Sequence, residues 1–178
     1  VQPNENLLKE NITNKVVLVT GAGGSIGSEL CRQIIKFKPK KLILFELNES
    51  ALYQIEYEII QLKDSKIKVF SVLGSVRDKL RVDNTFACFN VQTIYHTAAY
   101  KHVPLVEYNQ SEGVLNNIIG TKIVAESAIS NNVEIFVLIS TDKAVRPTNI
   151  MGASKRAAEI VIQALAKLDH NTCFTMVR

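Results

Sequence analysis

Val16-Val17-Leu18-Val19-Thr20-Gly21-Ala22-Gly23-Gly24-Ser25-Ile26-Gly27 is the stretch that decides the fold. Five apolar or β-branched residues run into a glycine-rich turn. A helical pattern follows at once: Ile26, Leu30 and Ile34 lie four apart, as do Cys31 and Ile35. Strand, tight turn and helix N-terminus in that order aim backbone N–H groups at a pyrophosphate. Gly21 permits the sharp turn, Gly24 admits phosphate to the backbone, and Gly27 lets the helix pack on the sheet. Ser25 and Ile26 open that helix and complete the candidate phosphate cradle. The spacing is G-x-x-G-x-x-G, not G-x-G-x-x-G to the letter, so the flanking strand and helix carry the dinucleotide reading. The bland alternative is a glycine-rich βα turn that holds nothing.

Outward from this unit the pattern alternates. Lys41 to Phe45, Ile67 to Leu73, Val91 to Tyr95, Glu134 to Ser140 and Thr172 to Val177 read as further strands. Between them run helical patterns: Asn48 to about Lys63, Val76 to about Phe89 with Leu80, Val82 and Phe86 inward, and one long helix from Val103 to Ser130 carrying Val114 and Ile118. A last helix runs from Met151 to Lys167, with Ala157, Ile160, Ala164, Leu165 and Leu168 inward. Asn48 is a candidate cap. The result is an α/β fold: a Rossmann-like doubly wound parallel sheet with helices on both faces, in order 3-2-1-4-5-6. Residues 1–14 read as a lead-in segment anchored by Leu7, Leu8 and Ile12, and residues 15–178 as the dinucleotide-binding domain.

The bulk numbers agree with one globular domain: 178 residues, 47% hydrophobic. A formal charge of +4 suits an anionic ligand, and the absence of a basic block or aromatic-basic interleaving argues against nucleic acid. Cys31, Cys88 and Cys173 are odd in number and far apart, which points to a reducing compartment and to no metal site. No apolar run is long enough to span a bilayer, and there is no signal peptide pattern.

Ligands of such a sheet lie at the carboxyl ends of the strands, and the unusual polar clusters fall there. Glu46 ends the second strand. A carboxylate there accepts hydrogen bonds from the adenosine ribose and repels a 2′-phosphate, which favours NAD over NADP. Ser75 and Val76, after the third strand, border the adenine. After the fourth strand, Ala98 and Ala99 leave room for the nicotinamide ribose, while Lys101 and His102 can meet an anionic or hydroxylated substrate or can be a basic loop tip. The fifth strand ends in Ser140-Thr141-Asp142-Lys143, a hydroxyl, an acid and an amine in succession. Met151 and Lys155 follow one helical turn apart, on one face. Lys155 can reach a ribose or can be a surface lysine balanced by Glu159.

Thr-Gly-x-x-Gly-x-x-Gly, His96-Thr-Ala-Ala, Asn117-Ile-Ile-Gly-Thr121 and the Ser-Thr-Asp-Lys stretch together resemble the extended short-chain dehydrogenase/reductases. The long motifs His96 to Glu107 and Thr141 to Arg156 resemble, more narrowly, the bacterial UDP-N-acetylglucosamine 4,6-dehydratases of capsule and glycan biosynthesis. That resemblance implies NAD as cofactor and a UDP-N-acetylhexosamine as substrate, dehydrated to a 4-keto-6-deoxy sugar. It implies that Thr141 bonds the C4 hydroxyl, Asp142 protonates the departing C6 hydroxyl, Lys143 takes the C5 proton, and Lys155 holds the nicotinamide ribose. Asn149, in the same motif, is a substrate candidate. The wider superfamily has tyrosine where Met151 stands, and a thioether has no proton to exchange. Members anchored in the membrane share that methionine. The expectation is therefore a cytoplasmic domain, held in the full-length protein at the cytoplasmic face of the inner membrane by a region before residue 1. A homo-oligomer is left open. Extended members also need a carboxy-terminal portion to bind the nucleotide and close over the sugar, so the chain reads as the cofactor part of a longer enzyme. A 4-epimerase and a non-catalytic NAD-binding regulatory module are the alternatives.

Overall fold

The computed structural model describes residues 5–64 and 66–178. In chain order the elements are α1 (Glu5–Ile12), β1 (Val16–Thr20), α2 (Ser25–Lys36), β2 (Lys41–Glu46), α3 (Glu49–Leu62), β3 (Lys68–Leu73), α4 (Lys79–Phe89) and β4 (Thr93–His96). Then come α5 (Val103–Tyr108), α6 (Gln110–Val114), a π-helical turn (Leu115–Gly120), α7 (Thr121–Ser130), β5 (Ile135–Ile139), a 3-10 turn (Asp142–Ala144), α8 (Ile150–Leu165) and β6 (Cys173–Val177). The six strands form one sheet in the order β3-β2-β1-β4-β5-β6, and every neighbouring pair is parallel. This is the doubly wound order read from the sequence.

Each strand divides its side chains between two cores because successive residues point to opposite faces. Leu18, Ile43, Phe45, Ile94 and Phe136 pack with Phe86, Val124 and Ile162 from α4, α7 and α8. Val17, Val19, Leu42 and Leu44 pack on the other face with Cys31, Ile34, Ile55 and Ile59 from α2 and α3. Ile12 joins this second core, and Leu8 packs at its edge, so α1 rests on the domain. Residues 1–4, and the side chain of Leu7 among the expected anchors, lie outside what is described. Asn48 caps α3 as expected, its Oδ1 accepting the N–H of Ala51 at 2.9 Å.

Three sequence expectations are corrected. Asp78 caps α4 by accepting the N–H of Arg81 at 2.9 Å, so the helix starts at Lys79 and not at Val76. That phase turns Val82 and Phe86 inward but leaves Leu80 70% exposed. On α8 the buried side is Met151, Lys155, Ala158, Glu159 and Ile162, while Ile160, Ala164 and Leu168 are exposed. Apolar periodicity misplaced this face because its polar members have partners inside the fold. The single long helix from Val103 to Ser130 is broken. Asn109, with φ −131°, separates α5 from α6, and the π-helical turn precedes α7. That turn buries Asn116 and Asn117 and leaves Val114 exposed.

Candidate active site

A cleft of about 490 Å³ opens at the carboxyl edge of the sheet, where β1 and β4 diverge. Gly21 sits at φ +65°, the left-handed region that an L side chain rarely adopts. A Cβ on Gly27 would lie 2.1 Å from the carbonyl oxygen of Gly21, so turn and helix meet backbone to backbone. Gly24 is the N-cap of α2 and offers no side-chain acceptor to the first-turn amides. A Cβ there would meet only the Gly21 carbonyl, at 3.2 Å. Amides without a cap beside an open approach are what a diphosphate requires, so these residues fit a dinucleotide.

Glu46 stands at the rim of the same cleft. Its Oε2 accepts the N–H of Gly23 at 3.0 Å, and its Oε1 accepts those of Leu47 at 2.8 Å and Asn48 at 3.0 Å. A carboxylate has about four acceptor positions. Three are used to fix its orientation, and one remains for a partner in the cleft that Glu46 lines. Ser75, Val76, Ala98, Ala99 and His102 line this cleft. Ser25 and Ile26 do not. Ser25 Oγ accepts from Lys101 Nζ at 3.2 Å, and Ile26 lines a neighbouring hollow.

That second hollow, of about 320 Å³, brings Lys101, Thr141, Lys143, Met151 and Lys155 together, and it shares Ala99 and Tyr100 with the cleft. Thr141 donates its hydroxyl proton to Asp142 Oδ1 at 2.9 Å, and Lys143 Nζ stands 3.6 Å from the same oxygen. The Thr141 hydrogen bond, then the Lys143 charge, hold the Asp142 carboxyl below the usual carboxylate range. Asp142 itself points to solvent, its side chain 88% exposed. Asn149 is employed otherwise than expected: its Oδ1 caps α8 by accepting the N–H of Gly152 at 2.8 Å, and it lines neither hollow.

Lys155 is no surface lysine. It is 6% exposed, and its Nζ donates to the carbonyl of Ile139 at 2.8 Å. Burial lowers its pKa to about 8, against the opposing pull of Glu159. Met151 is buried beside it.

Beneath both hollows runs a hydrogen-bonded chain whose roles were not read from the sequence. Thr121 donates its hydroxyl proton to the carbonyl of Asn117 at 2.7 Å. Its oxygen must then accept from His96 Nε2, at 3.0 Å. His96 Nδ1 is consequently the acceptor of the Thr20 hydroxyl, at 2.7 Å. The network thus assigns the tautomer. Burial, reinforced by the charge of Lys155, lowers the pKa of His96 to about 3, so the ring is neutral. Asn117 accepts the N–H of Tyr100 at 2.8 Å and donates to the Tyr100 carbonyl and to Ser154 Oγ, both at 3.0 Å. In the sequence His96, Asn117 and Thr121 stood out only as members of the motifs that carry the resemblance, with no partner indicated.

Comparison with known proteins places this geometry. The family described as polysaccharide biosynthesis protein matches residues 17–178. The chain belongs to that family. It is 50% identical to a capsular polysaccharide biosynthesis protein of Staphylococcus aureus over 97% of its own length and 29% of the relative's. It is 46% identical to a protein of Methanocaldococcus jannaschii described as an uncharacterized membrane protein, over 93% of this chain and 48% of that one. A UDP-N-acetylglucosamine 4,6-dehydratase (inverting) of Campylobacter jejuni is 35% identical over 92% of this chain and 48% of the relative. The chain therefore spans between about a third and a half of the length of these relatives. Among solved structures, Pen from Bacillus thuringiensis aligns with TM-score 0.86 and 34% identity, covering 94% of this chain and 52% of that one. The fold is shared with a dTDP-glucose 4,6-dehydratase of Streptomyces venezuelae holding NAD, with TM-score 0.75 and 22% identity over 90% and 55% of the two chains. It is shared too with a UDP-glucose 4-epimerase of Thermotoga maritima holding UDP-glucose, with TM-score 0.78 and 20% identity over 92% and 54%. This is the fold of those sugar-nucleotide enzymes. No helix among the described residues is long and apolar enough to cross a membrane.

Proposed function

We propose that this chain is the cofactor-binding part of an NAD-dependent sugar-nucleotide 4,6-dehydratase acting on a UDP-N-acetylhexosamine. The observation that carries this reading is the end of β5, where Thr141 and Lys143 line one hollow with Lys155 and Asp142 stands between them, bonded to Thr141 and paired with Lys143. Kinship with the Campylobacter dehydratase supports the substrate class. NAD, when bound, supplies the acceptor for the C4 hydride and the donor that returns it to C6.

The remaining steps belong to the chain's own side chains. Met151 cannot take the C4 hydroxyl proton. Asp142 can, because Thr141 and Lys143 hold it as the carboxylate. The proton so gained equips Asp142 as the acid for the next step, loss of the C6 hydroxyl as water. Lys143 removes the C5 proton, which the new C4 carbonyl acidifies, and gives a proton back to C5 as the hydride enters at C6. One acid–base group thereby does work that the superfamily divides between a tyrosine and an aspartate. Positioned proton transfer of this kind contributes roughly 10²–10⁴ in rate. Lys155 holds the ribose, and Lys101 and His102 contact the substrate, a role supported by the hollow that the two line together. The relative described as a membrane protein supports placement of the longer protein at a membrane surface.

The test is mass analysis after incubation with NAD and UDP-N-acetylglucosamine. Loss of one water supports the dehydratase. An isomer of equal mass identifies an epimerase, and no change in a full-length protein identifies a regulatory module. The 178-residue chain alone should bind NAD without dehydrating the sugar. Asp142 and Lys143 are exposed here, and the nucleotide's remote binding energy needs further residues. Comparable product from the chain alone and from the longer protein would refute the cofactor-part reading.

A further inference from the structure

Glu159 is the buried charge that the steps above leave unused. Its side chain is 0% exposed, yet it is a carboxylate on a helix facing the sheet. Its Oε1 accepts the hydroxyl of Ser140 at 2.7 Å and Nε of Arg178 at 2.9 Å. Its Oε2 accepts Nη2 of Arg178 and Nη1 of Arg156, both at 2.8 Å. Arg178, above all, drops its pKa to about 2, so it stays ionised throughout the working range. A forked Arg–carboxylate pair fixes both partners in direction as well as distance.

What this carboxylate holds is the stem of the acid–base segment. Ser140 immediately precedes Thr141-Asp142-Lys143. Its N–H also donates to the carbonyl of Val177 in β6 at 2.7 Å. One turn earlier on α8, Lys155 grips the carbonyl of Ile139, the residue before Ser140. Two residues four apart on the helix therefore clamp two consecutive residues at the end of β5. Beyond that clamp the segment is ordered by contacts among its own side chains, by its 3-10 turn, and by the packing of that turn on α8, where Ala144 is buried and the Lys143 carbonyl lies against Gly152.

Resting on the dehydratase reading above, we propose that Glu159 is a positioning residue: through Ser140 and Arg178 it sets where Thr141, Asp142 and Lys143 stand relative to Lys155. A misplacement of about 1 Å at reacting groups costs on the order of 10²-fold in rate. Glu159 also acts on Lys155 through its charge. The groups facing Lys155 are neutral His96 from β4, Lys101 from the loop after β4, Thr141 and Lys143 after β5, and Glu159 on its own helix. Glu159 is the one carboxylate among them.

The experiment compares Glu159→Gln and Ser140→Ala with the unsubstituted protein, all three as the full-length protein and, for kcat, saturated with NAD. In Glu159→Gln, kcat should fall by on the order of 10²-fold while the NAD Kd at pH 7 changes by less than about threefold. The alkaline limb of NAD binding, which follows Lys155, should move to lower pH, a shift that a merely structural contact would not produce. Ser140→Ala leaves the Arg178 fork intact, so it should fold normally and still lower kcat. In both variants the amides of residues 140–145 should exchange hydrogen faster. Normal kcat in both variants, or unchanged exchange in both, would overturn the proposal. If the unsubstituted protein releases no 4-keto product, the dehydratase reading fails separately, and the exchange measurement alone decides the role of Glu159.

Discussion

The imidazole of His96 accepts the hydroxyl proton of Thr20 at Nδ1, 2.7 Å away, and so ties the last residue of β4 to the last residue of β1. Thr20 Oγ1 in turn accepts the N–H of Thr97 at 3.2 Å. The loop that carries Ala98 and Ala99 past the cleft is thereby hung from the strand that carries the glycine turn.

His96→Phe puts a larger ring in place of the imidazole and removes both hydrogen bonds; the buried Thr20 hydroxyl loses its acceptor, while Thr121 keeps the Asn117 carbonyl. A buried group left without its partner costs about 1–3 kcal/mol. The expected outcome is a lower unfolding midpoint in urea with a weaker NAD Kd. An unchanged midpoint would contradict the strut role.

The same residue predicts a pH dependence. His96 has a folded pKa of about 3 against 6.5 unfolded. Between those values the unfolded chain binds the extra proton, so folding stability falls as pH drops below 6.5. Above 6.5 the group contributes no slope. Thermal midpoints at pH 7 and pH 5 should differ for the unsubstituted protein, and His96→Phe should narrow that difference.

Glu46→Ala should weaken NAD binding and narrow the preference for NAD over NADP. The carboxylate repels a 2′-phosphate, and it orients the amides of Gly23, Leu47 and Asn48. Calorimetry with both cofactors checks this, and tighter NADP binding to the unsubstituted protein would refute it.

Asp142→Asn preserves shape and removes the titratable group. In the full-length protein it should abolish water loss while NAD affinity stays within about threefold, since the residue lies outside the cofactor cleft. It should also stop exchange of the C4 hydride, because the same carboxylate receives the C4 proton. Retained C4 oxidation with lost dehydration would show that another group is the first base.

In the role proposed for it Lys155 binds the cofactor as an ammonium, and its pKa is lowered to about 8 by burial. NAD affinity should therefore decline as pH rises through 8, and Lys155→Met should remove that dependence along with part of the affinity. A flat Kd from pH 7 to pH 9 in the unsubstituted protein would show that the ammonium makes no contact with the cofactor.

The alternation of strands and helices, the sheet order, the glycine turn and Glu46 were all legible in the sequence. Each rests on short-range rules: a period of two or of 3.6 residues, a turn that only glycine adopts, a fixed offset between strand end and ribose. The Thr141-Asp142-Lys143 segment was legible for the same reason, as consecutive residues at a strand end. Tertiary structure alone decided the rest. It broke the stretch from Val103 to Ser130 at Asn109 and at a π-helical turn, where buried Asn117 bonds Tyr100 and Ser154 across the fold. It turned Lys155 and Glu159 inward, against the apolar pattern of α8, because Ile139 and Ser140 wait there as partners. The contacts of Asn117, Lys155 and Glu159 named here span 16 to 37 residues in sequence, so no local period records them. A buried polar side chain reveals its reason only when the groups that satisfy it are in place.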